Sequence, residues 1–151
     1  MSVAIGLHIL AAIIWVGGMF FAYMVLRPVA ANQLEPPARL TLWSSCFDRF
    51  FVWVWLAVVL LPLSGYWMLF EVLGGMANVG IYVHLMQGIA WIMIALFVYL
   101  YFVPYPRLKD AVAAGNWPSG GQALVAIRRI VGTNLLLGLL TAVIATTGRY
   151  L

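Results

Sequence analysis

The sequence predicts an all-α fold class, an integral membrane protein folded as an up-down-up-down four-helix bundle. Hydrophobic residues make up 66% of the chain and charged residues only 8%, whereas a soluble domain is roughly half apolar and about a quarter charged. The apolar residues are gathered into four runs, each long enough to cross the roughly 30 Å hydrocarbon layer of a bilayer. No water-soluble core could absorb this surplus of apolar surface.

The apolar runs define the predicted spans in chain order. They cover residues 3–26, 50–70, 79–103 and 124–146. The first run lacks the basic start of a cleaved signal peptide, because the first Lys or Arg of the chain is Arg27. We therefore expect it to remain as the first membrane span.

Two proline-containing linkers separate the spans, at residues 27–49 and 104–122. Proline and glycine interrupt regular structure, so the sequence predicts loops at both places. Little sequence lies outside the spans, which predicts a single transmembrane domain over residues 1–151. Short linkers also favour antiparallel neighbours, with the first and third spans running in the same direction.

Basic residues are concentrated at one end of the predicted bundle. Seven of the eight flank the two linkers: Arg27, Arg39, Arg49, Arg107, Lys109, Arg128 and Arg129. Because short cytoplasmic loops carry the Lys/Arg excess, we expect both termini to face the periplasm of a bacterial inner membrane. These cations are scattered at helix ends, so a nucleic-acid partner is not expected, and the lipid bilayer is.

The two histidines of the chain lie at matching depths in the first and third spans. His8 and His84 each begin an H-x₆-W element that ends at Trp15 and Trp91. Seven residues are nearly two helical turns, so each tryptophan shares a stripe with its histidine. The repeat predicts that the first and third spans are equivalent halves of the bundle.

The second and fourth spans carry a weaker echo of this repeat. Ser64-Gly65 and Thr147-Gly148 lie near the same end of their spans. We infer a pseudo-twofold repeat of two helical hairpins, related by an axis along the membrane normal. Such an axis would make the two histidines face each other across the bundle.

Two facing imidazoles predict a haem site. Neighbouring helices pack about 8–10 Å apart, so a diagonal pair stands roughly 12–14 Å apart, which suits a flat macrocycle better than a bare ion. We predict a b-type haem whose iron takes His8 and His84 as axial ligands. The other residues expected around this cofactor are Trp15 and Trp91 as walls, Gly65 and Gly148 as points of close approach, and Arg149 at the propionates.

Other chemistry stays open at this point. Six methionines could offer soft sulfur to Cu(I), which makes a copper-binding or copper-transport protein an alternative: Met19, Met24, Met68, Met76, Met86 and Met93. The single cysteine, Cys46, cannot form an intrachain disulfide. A third possibility is a non-catalytic accessory subunit of a larger respiratory complex, or a homo-oligomer.

The stretch from His8 to Pro28, H-x₆-W-x-G-G-x₈-R-P, resembles the first helix of the copper-resistance D (CopD) family. The Arg49-Phe50 start and Ser64-Gly65 finish of the second span fit the same pattern. The first helix is also similar to that of small membrane-type protoporphyrinogen oxidases, which are four-helix haem b proteins. Both families often carry a lysine where this chain has His84, which favours haem ligation over protoporphyrinogen oxidation.

The function predicted from these observations is electron transfer. Two strong axial ligands leave iron no open position for oxygen. Quinone in the bilayer or a redox protein would be the partner, and any enzymatic activity would be that of an oxidoreductase. The CopD resemblance implies copper handling as the alternative.

Overall fold

The structure, a computed structural model, describes residues 2–150, and the side chains of Ser2 and Arg149 lie outside its described part. In chain order the elements are α1 (Ser2–Phe20), a π-helical segment (Phe21–Leu26), α2 (Arg27–Gln33), α3 (Pro36–Glu71), a short 3₁₀ turn (Met76–Asn78), α4 (Ile81–Phe102), α5 (Pro104–Ala114), α6 (Trp117–Thr147) and a final 3₁₀ turn (Gly148–Tyr150). Four helical stretches are long and apolar enough to cross a membrane. The all-α, four-helix membrane fold is therefore confirmed.

The linkers predicted as loops are largely helical. The first contains α2 and the start of α3, and the second contains α5 and the start of α6. Each of these helices has a proline at its first or second position, and Pro106 is at the third position of α5. Proline lacks an N–H, but the N–H groups of the first turn have no partner within the helix anyway, so proline begins a helix well. The helices thus extend beyond their predicted bounds on the side of the linkers.

The four spans are arranged in cyclic order. The first packs between the second and the fourth, and the third packs against the fourth. Aromatic side chains close the remaining side, where the rings of Trp55 in α3 and Phe97 in α4 lie 5.2 Å apart between centroids. The first and third spans are therefore diagonal.

We name the two ends of the bundle by their residues. The histidine end holds His8, His84 and the connection between α3 and α4, and the basic end holds Arg27 and the linker helices. An aromatic cluster fills the bundle toward the basic end. Its members include stacked and edge-on rings of Trp43, Phe47, Phe51, Phe97 and Tyr105.

A glycine in α6 sets the closest approach of three spans. A Cβ atom at Gly138 would lie 2.7 Å from Cγ2 of Val16 in α1 and 3.3 Å from Cε of Met93 in α4. One turn earlier, buried Asn134 donates a hydrogen bond of 3.1 Å to the Met93 carbonyl. Small residues and interhelical hydrogen bonds of this kind hold helices together in lipid, where apolar burial supplies little driving force.

Candidate metal site at the histidine end

His8 is held against the second span by a hydrogen bond. The half-buried imidazole places Nδ1 2.9 Å from the hydroxyl oxygen of Ser64 in α3. Ser64 is itself buried, and its hydroxyl donates to the Leu60 carbonyl at 2.5 Å. The two helices therefore fix the ring at a defined position and angle.

This arrangement sets which nitrogen of the neutral imidazole carries the proton. A serine hydroxyl has one hydrogen, and that of Ser64 points to Leu60. With this hydroxyl hydrogen on Leu60, the Ser64 oxygen is an acceptor for His8, which favours the tautomer with the proton on Nδ1 and the lone pair on Nε2. A histidine whose one nitrogen donates to the protein offers the other to a metal. Nε2 is therefore the atom through which His8 could accept a hydrogen bond or bind a metal.

Gly65 lies beside this ring. A Cβ atom at position 65 would lie 3.4 Å from Cε1 and 3.8 Å from Nδ1 of His8, which are ordinary van der Waals distances. The imidazole therefore packs against α3 at Gly65, and its hydrogen-bond partner is the neighbouring Ser64.

His84 has a different environment, and the repeat breaks down there. Its side chain is exposed on α4, and Tyr82 packs at Gly148 instead, where a Cβ atom would lie 2.5 Å from Tyr82 Cβ. Successive residues of an α-helix are about 100° apart, so a side chain two positions later points to nearly the opposite face. With Tyr82 against the turn that follows α6, His84 points away from that turn.

The two tryptophans of the repeat also differ. Trp15 is buried and contacts Phe97 edge-on, with ring centroids 6.2 Å apart. Trp91 is 50% exposed, and its Nε1 donates to the hydroxyl of Tyr66 at 3.2 Å. Gln87 donates to the same hydroxyl. Sequence reasoning missed Tyr66, although the four-residue spacing of Gln87 and Trp91 places two donors on one face of α4.

These contacts give no support to a haem clamped between His8 and His84 of one chain. Of the glycines expected to admit the ring, Gly65 is covered by His8 and Gly148 by Tyr82. The predicted propionate partner, Arg149, has its side chain outside the described part of the structure. No group of three or more His, Cys, Asp or Glu residues lies together among residues 2–150. The haem prediction has no support from this packing.

Comparison with known families matches residues 44–147 to the family described as copper resistance protein D, CopD. The chain belongs to the CopD family. The match covers most of α3 and continues to the end of α6, so it includes Ser64 and Gly65 but not His8. No curated protein and no solved structure matches the chain. The sequence resemblance to CopD is confirmed, and this CopD-family protein is a multi-pass membrane protein.

Proposed function

We propose that this CopD-family protein handles copper in the membrane, with Cu(I) as its cargo and His8 as a copper ligand. The match to copper resistance protein D over residues 44–147 carries the proposal. The positive-inside rule would place the histidine end at the periplasmic face of a bacterial inner membrane. His8 would then meet copper near that face.

The chemistry of His8 supports this assignment. Imidazole nitrogen is a ligand for copper in either common oxidation state. The Nδ1–H of His8 is engaged by Ser64 at 2.9 Å, which leaves the Nε2 lone pair as the donor. The ring is oriented by the protein before the ion arrives, so little ordering is needed on binding.

Met68 is the second candidate ligand. It follows Ser64 by four residues in α3 and is half-buried. Residues four apart lie on the same helix face, so Met68 lies one turn from Ser64, about 6 Å farther toward the histidine end. A thioether is a soft donor that selects Cu(I), which argues for the reduced ion as cargo.

A copper titration of the purified full-length protein tests the proposal. In detergent and without oxygen, we expect saturable Cu(I) binding in competition with a chromogenic chelator. Met68→Leu keeps the side-chain volume and removes the sulfur. We expect it to weaken Cu(I) binding at least about tenfold, because even the loss of a residue that only orients a metal ligand typically costs that much. Met24→Leu is the matched control, because Met24 is exposed in the π-helical segment toward the basic end.

The optical spectrum of the same sample separates the alternatives. A sharp Soret band in the purified protein would support the haem prediction and contradict copper as the ligand of His8. A colourless sample without Cu(I) binding would favour the accessory-subunit role. Equal loss of affinity in Met68→Leu and Met24→Leu would remove Met68 from the site.

Ser64→Ala tests whether the hydrogen bond prepares His8. Without the hydroxyl the imidazole is free to rotate and to change tautomer, and we expect Cu(I) affinity to fall about 10–100-fold. Ser64→Thr keeps a hydroxyl and should restore most of the affinity. Thr147→Ala is the control, because the Thr147 hydroxyl donates within its own helix, to the Val143 carbonyl at 2.7 Å. Unchanged affinity in Ser64→Ala would contradict the positioning role.

A further inference from the structure

A cleft of about 850 Å³ opens at the basic end of the bundle. The π-helical segment and α2 form one side, and the beginnings of α3 and α6 form the others. Its volume is within the roughly 300–1,000 Å³ that small-molecule sites occupy. The copper proposal makes no use of this cleft, because His8 lies at the opposite end.

Three arginines line the cleft: Arg27, Arg39 and Arg128. The lining contains no Asp or Glu. The only ion pair among the side chains that the structure describes joins Lys109 to Asp48, neither of which lines the cleft. Arg27 and Arg39 are half-buried, so these cations have lost part of their hydration without gaining a carboxylate. Partly desolvated guanidinium groups are best stabilised by an anion that accepts several hydrogen bonds.

The interior of the cleft is apolar. Leu40 and Ile127 are fully buried at its wall, and the aromatic rings of Trp43, Phe47 and Trp117 line it as well. A small hydrophilic anion would satisfy the arginines but leave this surface uncovered. The occupant that fits both features carries an anionic head and an apolar body.

The π-helical segment shapes one side of the cleft. Ala22 and Tyr23 both line it and belong to this segment. The Arg27 guanidinium lies 4.5 Å from the centre of the Tyr23 ring, a cation–π contact. This contact fixes the position of one arginine at the cleft without neutralising its charge. π-Helical segments within α-helices occur frequently at functional sites.

We propose that the cleft binds an anionic phospholipid, with its phosphate at the three arginines and an acyl chain along the apolar wall. The positive-inside rule places the basic end at the cytoplasmic leaflet, and basic pockets between membrane helices on that side bind anionic headgroups. The charge of the cleft and its apolar wall select an anionic lipid over a zwitterionic one.

Native mass spectrometry of the detergent-purified full-length protein tests this proposal. Phosphatidylglycerol and phosphatidylcholine with identical chains are added in competition, and we expect phosphatidylglycerol to be retained preferentially. Arg128→Gln should reduce that preference about fivefold, since one basic residue contributes about 1 kcal/mol of attraction to anionic lipid. The double variant Arg39→Gln with Arg128→Gln should reduce it about 25-fold.

Arg129→Gln is the matched control, because Arg129 neighbours Arg128 but does not line the cleft. Circular dichroism and the elution volume of each variant report whether the bundle is intact. If a variant is unfolded, the proposal is still tested on the wild-type protein, by competition between phosphatidylglycerol and inorganic phosphate. Displacement of phosphatidylglycerol by millimolar phosphate would mean a free-anion site and would overturn the lipid assignment. Equal retention of both lipids, or equal losses in Arg128→Gln and Arg129→Gln, would also overturn it.

Discussion

His8→Ala is expected to remove Cu(I) binding, with an affinity loss larger than the about 10–100-fold of an outer-shell change. The variant deletes the nitrogen that the Ser64 hydrogen bond leaves free for the metal. His84→Ala is the matched control, because His84 is at a similar depth in the sequence but exposed in the fold. We expect it to keep wild-type affinity. Competition titration with a chromogenic Cu(I) chelator measures both.

The other possible results for His8→Ala and His84→Ala each lead to a different conclusion. Equal losses in His8→Ala and His84→Ala would show that both imidazoles bind the same ion, through a second copy or a rearranged bundle. A low-spin haem spectrum that both variants convert to high spin would restore the bis-histidine prediction. Unchanged affinity in His8→Ala would exclude His8 as the copper ligand.

Gly138→Leu is expected to destabilise the bundle by about 3 kcal/mol, the upper end of the usual range for overpacking a core. The first added carbon would already lie 2.7 Å from Cγ2 of Val16. Val16 is β-branched and has few alternative rotamers, so it cannot easily turn away. The α6 backbone would have to move from α1 and α4 together. Unfolding of the purified protein in mixed micelles with increasing dodecyl sulfate measures the change.

Gly17→Leu makes the same substitution at an exposed position of α1. Nothing lies within 4 Å of the Cβ atom that it would add. Leucine also has a better helix propensity than glycine, by somewhat less than about 1 kcal/mol. We expect Gly17→Leu to unfold at the wild-type detergent fraction or slightly above it. Equal destabilisation by both variants would mean that the spans do not pack closely at Gly138.

The membrane spans could be predicted because the bilayer imposes their length and composition. An apolar segment in lipid must satisfy its backbone groups internally, so it is a helix whatever its neighbours are. The helices within the linkers could not be predicted from their prolines, because proline can either interrupt a helix or begin one. At Pro36 and Pro104 it begins a helix, and which role applies depends on whether the following residues find a surface to pack on.

The residues of the candidate site were predicted one by one, without their mutual contacts. The repeat marked His8, its weaker echo marked Gly65, and the structure places His8 beside Gly65 and within hydrogen-bond distance of Ser64. The same patterns marked His84 and Gly148, whereas the structure places Tyr82 at Gly148. Side chains two residues apart in a helix lie on different faces. The spacing of residues within one span does not tell which of these faces packs against a neighbouring helix. The face is set by which side chain fits the neighbouring helix.

By itself the sequence determined that this protein lies in the membrane as four helices, since hydropathy and length require no partner. It also determined the charge asymmetry between the two ends. Only the tertiary structure decided which histidine is held by another span, which glycine lies at the crossing of three helices, and that three arginines surround one cleft. These features depend on how each helix is rotated about its own axis, and that rotation follows from the packing of all the spans together.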